Sequence, residues 1–510
     1  MRTRANTVAL AGRWLKLPKM CCRAKFSSLR FARNRLSTKG FVLLFALLPM
    51  KLLWAQTAPM TPDRTWHGAQ EASLARELRQ YTQTNLALDA SKTYDLAELV
   101  DFAEQHNPQT RVAWQNAKAQ AAVLGIARSE LYPTLASVAL AGVDRTEAFL
   151  GTRFFRQTVG DFQAALDLNY TVFDFGARRG RISAAEADVL AANFAFNDTH
   201  RNVIYAVEQG YYQLLNAMGQ EDAAEASLSN AEAVQQAAEE RLKNGLATLP
   251  DVLEARSATA QAEYELQAAV GGEEIARGNL ATALGVSPTA VIRTQPLKEL
   301  SIPNSLGDTV ESAMNRAFAQ RPDLLQQVAE IHAGNAKVKE ARAAYYPSLN
   351  VDVGPIAQSL YGLQQTLPWA STAGLAGGAQ FNLKWTVFDG GARRNRIAEA
   401  RARVSAAEAQ ANVTRDQIAD EVWAAYSNLN TAFRQRQAAE KLLEASSQSY
   451  EAALESYKYG LRNLLDVTAA ERTLAEARST DVLARTQVLT ALADFAFRTG
   501  DSVQLNARRP

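Results

Sequence analysis

The stretch Thr171-Val-Phe-Asp-Phe-Gly-Ala-Arg-Arg-Gly-Arg-Ile182 recurs later in the chain as Thr386-Val-Phe-Asp-Gly-Gly-Ala-Arg-Arg-Asn-Arg-Ile397. Ten of these twelve positions are identical, at an offset of 215 residues. Other anchors repeat in the same order at an offset of 215 or 214: Gly245 with Gly460, Asp251-Val252 with Asp466-Val467, Leu131-Tyr-Pro133 with Tyr345-Tyr-Pro347, and Asn107-Pro108 with Arg321-Pro322. Because the offset is nearly constant over separated anchors, the pattern indicates an internal duplication.

The residues before each copy of the motif alternate between apolar and polar side chains. The apolar positions are Phe162, Ala164, Leu166, Leu168, Tyr170 and Val172 in the first half, and Phe381, Leu383, Trp385 and Val387 in the second. A period of two predicts β-strands with one apolar face. Tyr170 and Trp385 take equivalent places near the strand ends, where an aromatic ring suits a membrane interface. Alternation alone fits a half-buried sheet of a soluble protein better, so it permits a membrane-spanning sheet without proving it.

After each motif the apolar period changes to seven. The repeating positions are Ile182, Val189, Phe196 and Val203, and then Ile397, Val404, Ala411, Ile418 and Ala425. Heptads with small residues between them are typical of closely packed coiled coils. The pattern predicts a helix over about Ala177–Lys243, on the order of 100 Å long. Such a helix needs partners, which we expect in the returning segments 251–284 and 462–498.

Four strands in one chain raise a problem of closure. An open sheet cannot span a bilayer, because every backbone polar group there needs a partner, and bacterial barrels begin at about eight strands. The sequence therefore leaves two alternatives, a soluble sheet or a barrel shared among chains. Three chains would give twelve strands.

The charge of the chain is divided between a leader and a body. Residues 1–55 hold twelve Lys and Arg and no acidic residue, so that 56–510 carries a net charge of −10. The basic segment, followed by the apolar stretch Phe41–Met50, predicts a secretory signal cleaved near Ala55 or Ala58, with a short membrane anchor as the alternative. An acidic body argues against nucleic-acid binding. Both cysteines precede the apolar stretch, so neither is placed for lipid attachment.

The residue types of the body argue against an enzyme. Its histidines are His67, His106, His200 and His332, at no metal-ligand spacing, and no cysteine lies in the body to join them. A Gly-rich phosphate-binding loop of the Walker type is missing from the sequence. We therefore expect no catalytic residue, no metal and no cofactor, and any transport must be energised by another protein.

The Tyr-Pro, Phe-Asp-x-Gly and Gly…Asp-Val motifs, in this order and in two copies, resemble those of the TolC-like outer-membrane efflux proteins. The resemblance covers about residues 93–498. It implies an α+β membrane protein: a homotrimer whose twelve-stranded β-barrel, four strands per chain, continues into a long coiled-coil α-helical barrel in the periplasm. The expected organisation is then a leader (1–55), an N-terminal periplasmic segment (56–92), a first repeat (93–300), a second repeat (301–498) and a tail (499–510).

The same resemblance places the strands and their junctions. It implies four strands, at Thr134–Asp144, Asp161–Phe173, Ser348–Ser359 and Gly374–Phe388, and external loops at 145–160 and 360–373. Pro133 and Pro347 would turn helix into strand, since proline cannot continue a helix. Gly176 and Gly391 would turn strand back into helix. Segments 56–92, 285–320 and 499–510 would form a belt around the helical barrel.

Two hairpin tips are the candidate functional sites. By resemblance, Tyr457 and Arg462 would bond toward Asp251 and the adjacent backbone, and Asp466 would place a ring of three carboxylates in the pore. This predicts that Asp251→Ala or Tyr457→Phe raises the conductance of the closed state. The residue types alone also fit a purely structural role, with Gly245 and Gly460 as turn glycines and the aspartates as helix caps.

Two features of the tips depart from the family pattern. Ala469 stands where the family has a second aspartate, so a double acidic ring is not expected. Pro250 stands where a hydroxyl would be expected, which removes one link between tips.

Paired arginines begin each long helix, at Arg178-Arg179 and Arg393-Arg394. A cation at a helix start opposes the helix dipole, so a partner is expected. The two candidates are salt bridges to neighbouring helices, which we favour, and anionic lipid head groups.

The function implied is a passive outer-membrane exit duct. It would serve a tripartite efflux pump or a type I secretion system, together with a periplasmic adaptor and an inner-membrane pump. The alternative is a soluble periplasmic coiled-coil adaptor or scaffold without a barrel.

Overall fold

The structure is a computed structural model that describes residues 71–81, 88–150, 152–300, 302–303, 307, 309–364 and 367–501. The expected leader, most of the segment 56–92 and residues 502–510 of the tail lie outside these ranges. The chain divides into residues 1–84 and 85–510, and the described part of the first unit is helix α1, Glu71–Tyr81.

The second unit contains two copies of the same element order. The first copy consists of β1 (Thr93–Tyr94), α2 (Leu96–His106), α3 (Pro108–Ser129), β2 (Thr134–Leu150), β3 (Arg153–Phe173), α4 (Ala177–Lys243) and α5 (Leu249–Leu284). The second consists of β4 (Arg293–Thr294), a 3-10 turn at Leu297–Glu299, α6 (Val310–Gln320), α7 (Pro322–Ala343), β5 (Ser348–Gln364), β6 (Leu367–Lys384), α8 (Ala392–Lys458) and α9 (Leu464–Thr499). Helices α4 and α8 each have 67 residues, and α5 and α9 each have 36. The duplication therefore extends to the lengths of the helices, and the long helix predicted over Ala177–Lys243 has the predicted bounds.

Local sequence explains where the shorter helices begin. The Asp95 carboxylate accepts a hydrogen bond from the backbone N–H of Glu98 at 2.7 Å, and the Glu98 carboxylate accepts one from the Asp95 N–H at 3.3 Å. This reciprocal capping box fixes the first turn of α2. Helices α3 and α7 both begin with proline at the first helical position, where a missing N–H leaves no acceptor unpaired.

The helices form one layer with two different orders along its length. Next to the sheet the order is α3, α4, α7, α8, and at the far end it is α5, α4, α9, α8. The two long helices span both halves, and small residues let their neighbours approach closely. A Cβ atom added to Gly210 would lie 3.2 Å from the backbone of Leu280, and one added to Gly219 would lie 2.6 Å from Val482. Gly210 and Gly219 are thus two points at which α4 lies close to a neighbouring helix.

The four long strands form one antiparallel sheet in the order β2, β3, β5, β6. Its two outer strands, β2 and β6, have no further strand beside them in the described chain. The register puts Asn169 beside Thr134 on one side and Asp352 on the other, so the polar positions of three strands share one face. Apolar side chains on the opposite face are exposed in the single chain, among them Leu135, Leu166, Leu375 and Phe381.

The expected external loops at 145–160 and 360–373 are wrong, because most of both segments is strand. Arg145 pairs with Thr158, and Ser359 pairs with Ala373, so both hairpins continue far beyond the expected strand ends. Backbone pairing continues here without regular alternation of apolar and polar residues, and alternation was the signal used to predict the strands. The last strand was also expected to reach Phe388, but β6 ends at Lys384, before the motif begins.

None of the described helices is apolar over a length that could cross a membrane.

Candidate functional site

The junctions between helix and strand lie where the sequence predicted them. Pro133 and Pro347 directly precede β2 and β5. Gly176 and Gly391 directly precede α4 and α8, with φ angles of 92° and 91°. This left-handed conformation is open to glycine without steric cost, which explains the glycine of the Phe-Asp-x-Gly motif.

The aspartate and the first arginine of the motif form one local unit. The Asp174 carboxylate accepts hydrogen bonds from the backbone N–H groups of Gly176 and Arg178, and it pairs with the Arg178 Nε at 3.0 Å. Partial burial would raise the pKa of Asp174, but these bonds hold it below its usual value. Asp389 and Arg393 repeat the arrangement at 2.8 Å. The aspartate thus satisfies free N–H groups at the helix start and supplies the negative charge that the arginine needs.

For Arg178 and Arg393 this geometry corrects the expectation of salt bridges to neighbouring helices, because both pair with the aspartate of their own motif. Arg178 also donates to the Glu130 carbonyl at the end of α3, at 3.1 Å. The bridge between helices is made one turn later by Arg181, which contacts Glu130 at 2.5 Å and Glu340 on α7 at 3.4 Å.

The aromatic positions near the strand ends differ in detail. Tyr170 lies within β3 and is half-buried, whereas Trp385 follows the end of β6, is 59% exposed and donates its indole N–H to the Tyr345 carbonyl at 3.2 Å. A second aromatic pair lies toward the other end of the sheet, where the rings of Tyr361 and Trp369 stack at 5.5 Å. This pair was not expected from the sequence, because both residues fall in the segment 360–373, which was predicted to be a loop.

Both hairpin tips have the same construction. Gly245 and Gly460 have φ angles of 74° and 76° and end the long helices. Each tip then begins its returning helix with a polar cap. The Asp251 carboxylate accepts from the N–H and the hydroxyl of Thr248, both at 2.8 Å, and the Asp466 N–H donates to the Asn463 side chain at 2.8 Å. The glycine turns and Asp251 therefore take the roles that the residue types predicted, whereas the cap of the second returning helix is Asn463 and not Asp466.

The expected bond from Tyr457 to Asp251 does not form. Tyr457 is 3% exposed, and its buried hydroxyl has no hydrogen-bond partner among the described residues. Burial raises the pKa of this hydroxyl. Asp251 is occupied by Thr248, whose N–H and hydroxyl are the main cause of its lowered pKa.

Arg241 makes the contact between tips that was assigned to Tyr457 and Arg462. Its guanidinium lies 4.6 Å from the centre of the Tyr457 ring, donates to the Tyr457 carbonyl, and donates to the Leu246 carbonyl at 3.2 Å. The duplicated motifs do not mark Arg241, because the equivalent residue of the second copy is Ser456. Its signal in the sequence is a cation near a tip that occurs in only one copy.

Arg462 and Asp466 are both exposed at the second tip. Beneath the tips, Val252, Tyr457, Leu464 and Val467 are buried in one apolar cluster. Both tips are therefore supported by a core shared between the two hairpins, and at the second tip the Asp466 side chain is exposed.

A second charged assembly joins the two copies near the end of α9. Arg321 is 5% exposed and pairs with Asp323 at 2.6 Å and with Glu421 at 2.7 Å. Glu421 also pairs with Arg498 at 3.1 Å. Arg201, 2% exposed, donates to the carbonyl of Phe497 at 2.9 Å. These bonds link α4, α7, α8 and α9 at one level of the layer.

Comparison with known proteins agrees with this architecture. The family described as outer membrane efflux protein matches residues 99–286 and 313–501. The chain is 30% identical over 406 residues to protein CyaE of Bordetella pertussis, covering 79% of this chain and 83% of CyaE. It is 25% identical over 413 residues to outer membrane protein OprJ of Pseudomonas aeruginosa, covering 80% and 83%. The solved outer-membrane channel OprN has the same fold, with a TM-score of 0.70 at 22% identity over 83% of this chain and 98% of that one.

The two matched ranges correspond to the two copies of the duplicated element order, and together they span most of the described chain. The resemblance drawn from the duplicated motifs is thereby confirmed. The chain belongs to the outer membrane efflux protein family, the TolC-like channels of the bacterial outer membrane.

Proposed function

We propose that three copies of this chain form a passive duct, which passes solutes received from an inner-membrane pump through a periplasmic adaptor to the exterior. The observation that carries the proposal is the four-stranded sheet with two open edges, continuous with a layer of helices. Family membership supports this duct and not the soluble adaptor or scaffold. The chain's part is a conduit, and the partner proteins supply the energy.

The open edges support the homotrimer. Strands β2 and β6 present unpaired backbone groups, which cannot remain unpaired in lipid. Pairing β6 of each chain with β2 of the next closes a barrel of twelve strands from three chains. The helical layer has open edges too, and its outer helices expose apolar side chains: Tyr264 (72%) and Ile275 (67%) on α5, and Trp423 (55%) on α8. The same ring of three copies would cover these side chains.

The apolar face of the sheet has the height of a bilayer core. Val351 on β5 pairs with Tyr170, and Tyr361 lies ten residues further along the same strand and on the same face. At about 3.3 Å per residue and a tilt of roughly 40°, the two aromatic levels are about 25 Å apart. We assign Tyr170 and Trp385 to the periplasmic interface and Tyr361 and Trp369 to the external one.

The hairpin tips carry the proposed gate and the proposed adaptor contact. Asp466, exposed at the start of α9, would form the ring of three carboxylates, and Arg241 would hold the two tips of each chain together. Leucines at both tips are strongly exposed, including Leu246 (67%), Leu249 (60%) and Leu461 (79%). Exposed apolar side chains of this kind suit a partner protein that binds at the tips.

Single-channel recording of the purified full chain in planar bilayers tests the gate. Arg241→Met removes the cation that holds the Tyr457 carbonyl, so we expect the closed-state conductance to rise several-fold. Asp251→Ala breaks the capping box of α5 and should raise the conductance by a smaller factor. Tyr457→Phe should leave it unchanged, because the hydroxyl makes no bond.

Arg256→Met is the matched control for this test. Arg256 pairs with Glu239 at 2.9 Å within the same hairpin and is largely exposed, so its loss should not affect the gate. Unchanged conductance in Arg241→Met, or an equal rise in Arg256→Met, would remove Arg241 from the gate.

A further inference from the structure

The helical layer has a seam where the two copies of the duplication meet. In this inner seam, α4 of the first copy packs against α9 of the second. In the proposed ring of three chains, an outer seam would join α8 of one chain to α5 of the next. Because α8 repeats α4 and α9 repeats α5 at an offset of 215 residues, both seams join equivalent helices. The contacts of the inner seam therefore indicate how the outer seam can be arranged.

The inner seam has a defined register. The Tyr205 hydroxyl on α4 donates to the Asp494 carboxylate on α9 at 2.8 Å. Further along, a Cβ atom added to Gly219 would lie 3.6 Å from the Cβ atom of Val482. The two helices run antiparallel, and these two contacts fix their register over about four turns.

The same register across two chains keeps a polar pair. It places Asp420 of one chain, which corresponds to Tyr205, beside Asn279 of the next, which corresponds to Asp494. The Asn279 amide can donate to the Asp420 carboxylate, so the carboxylate changes helix while a hydrogen bond is kept. Both side chains are exposed in the single chain and bond to no other described residue. They are therefore available to a second copy.

Helix α5 contains two glycines that its own chain does not explain. Gly271 and Gly272 lie inside the helix, where a glycine costs about 1 kcal/mol relative to alanine. No atom lies within 4 Å of a Cβ atom added to either one, so no contact among the described residues requires their small size. The register of the inner seam places them beside Thr431 and Ser427 of a neighbouring α8. Glycines there let the two helices approach closely.

Each of the two helices also exposes a large apolar side chain at the same level. Trp423 on α8 is 55% exposed and lies three residues after Asp420. Ile275 on α5 is 67% exposed and lies four residues before Asn279. Residues three or four apart share one face of a helix, so the register that joins Asp420 to Asn279 also brings Trp423 against Ile275. A buried tryptophan is typical of the side chains that carry most of the binding energy of an interface.

We propose that α8 of one chain binds α5 of a second copy in the register of the inner seam, with Trp423 packed on Ile275. This rests on the proposed ring of three copies and adds which residues meet. The chemistry of the two seams differs. In the inner seam the buried Arg201 guanidinium donates to the Phe497 carbonyl, whereas Asp416 stands at the equivalent position of α8. The outer seam therefore depends on apolar packing and close approach of the helices, without that buried cation.

Disulfide crosslinking of the purified full chain in detergent tests the register, with Cys21 and Cys22 replaced by serine because the body has no other cysteine. Gly219 and Val482 correspond to Arg434 and Gln267. Arg434→Cys combined with Gln267→Cys should therefore place two Cβ atoms of neighbouring chains about 3.6 Å apart, a distance that a disulfide requires. Oxidation with copper phenanthroline should then convert the chain into covalent trimers on non-reducing gels.

Pairs displaced along α5 are the matched controls. Arg434→Cys with Glu263→Cys or with Glu274→Cys moves one cysteine by about 6 or 10 Å in opposite directions, so each should crosslink at least tenfold more slowly. Gel filtration before oxidation identifies the variants that fold and associate. Trimers that do not crosslink at Gln267, or that crosslink as fast at Glu263 or Glu274, would overturn the register and leave the ring intact. A folded chain that does not associate would overturn both.

Discussion

At the scale of single residues, the repeated motif is explained by two consecutive left-handed positions before each long helix. In the second copy both are glycines, Gly390 (φ 65°) and Gly391 (φ 91°). In the first copy Phe175 takes the first position with φ 51°, a conformation that costs a side chain about 1 kcal/mol or more. Its ring stacks on Tyr346 at 4.9 Å and meets Phe173 edge-on at 4.6 Å. These contacts offset the strain and explain why the copies differ here.

Alanine at Gly176 should destabilise the protein, because its φ of 92° is strained for any side chain although no atom lies within 4 Å of the added Cβ. We expect a loss of about 1–2 kcal/mol. Gly125 provides the control, since it lies within α3 with equally free space around it, and Gly125→Ala should stabilise by up to about 1 kcal/mol. Denaturant midpoints of the two variants measure the difference, and effects of the same sign would contradict this account.

The buried carboxyl group of Glu208 should make the stability of the protein depend on pH. It lies on α4 beside Tyr212, and its Oε2 is buried without a partner in the described chain. Burial raises its pKa to about 7, whereas an ordinary glutamate titrates near 4.5. The folded state therefore keeps a proton that the unfolded chain loses. The contribution of this group to the free energy of unfolding is therefore fully present below about pH 4.5, and it is lost as the pH rises through about 7.

Glu208→Gln should consequently raise the midpoint of thermal unfolding at pH 8, by roughly 2 °C or more, and leave it nearly unchanged at pH 4. Scans at the two pH values measure the effect. Glu232→Gln, at an exposed position of the same helix, should shift neither midpoint. A stabilisation by Glu208→Gln that is equal at both pH values would show that the carboxyl does not titrate as described.

At the scale of elements, the sequence predicted the helices better than the strands. The bounds of α4 followed from proline-free heptads, because helix periodicity repeats over many residues of one element. The predicted strand ends were wrong by several residues. Residues such as Arg145 and Thr158 extend the strands by backbone pairing, and this pairing leaves no alternation of apolar and polar side chains in the sequence. The tip contact was missed for another reason: Arg241 acts on a carbonyl of a residue 216 positions away, and no local signal marks that approach.

The buried charges around Arg321 make a testable contribution at this scale. Burial would raise the pKa of Asp323, but the Arg321 guanidinium holds it below its usual value. Arg321→Ala leaves the carboxylates of Asp323 and Glu421 without this partner, so we expect a loss of about 3 kcal/mol or more. Arg403→Ala removes an exposed pair with Glu399 and should cost less than about 0.5 kcal/mol. Equal losses in chemical unfolding would mean that the buried assembly does not hold the helices together.

At the scale of the whole molecule, the structure places several acidic residues of the body on one surface, the polar face of the sheet. Asp144, Asp161, Asp167 and Asp352 all lie on the polar face of the sheet, with Arg153 and Lys384 near its two ends. Asp466 is exposed at the far end of the helices. In the proposed trimer this face lines the barrel, so negative charge exceeds positive charge along the part of the path that the sheet encloses. Such a lumen concentrates cations and excludes anions.

The reversal potential of single channels in a KCl gradient tests the central claim most directly, because it requires both a conducting duct and an acidic lining. The full chain, purified as folded oligomers and inserted into planar bilayers, should form discrete channels whose reversal potential shows selectivity for K⁺ over Cl⁻. Anion-selective channels, or no channels from the folded oligomers, would contradict the account.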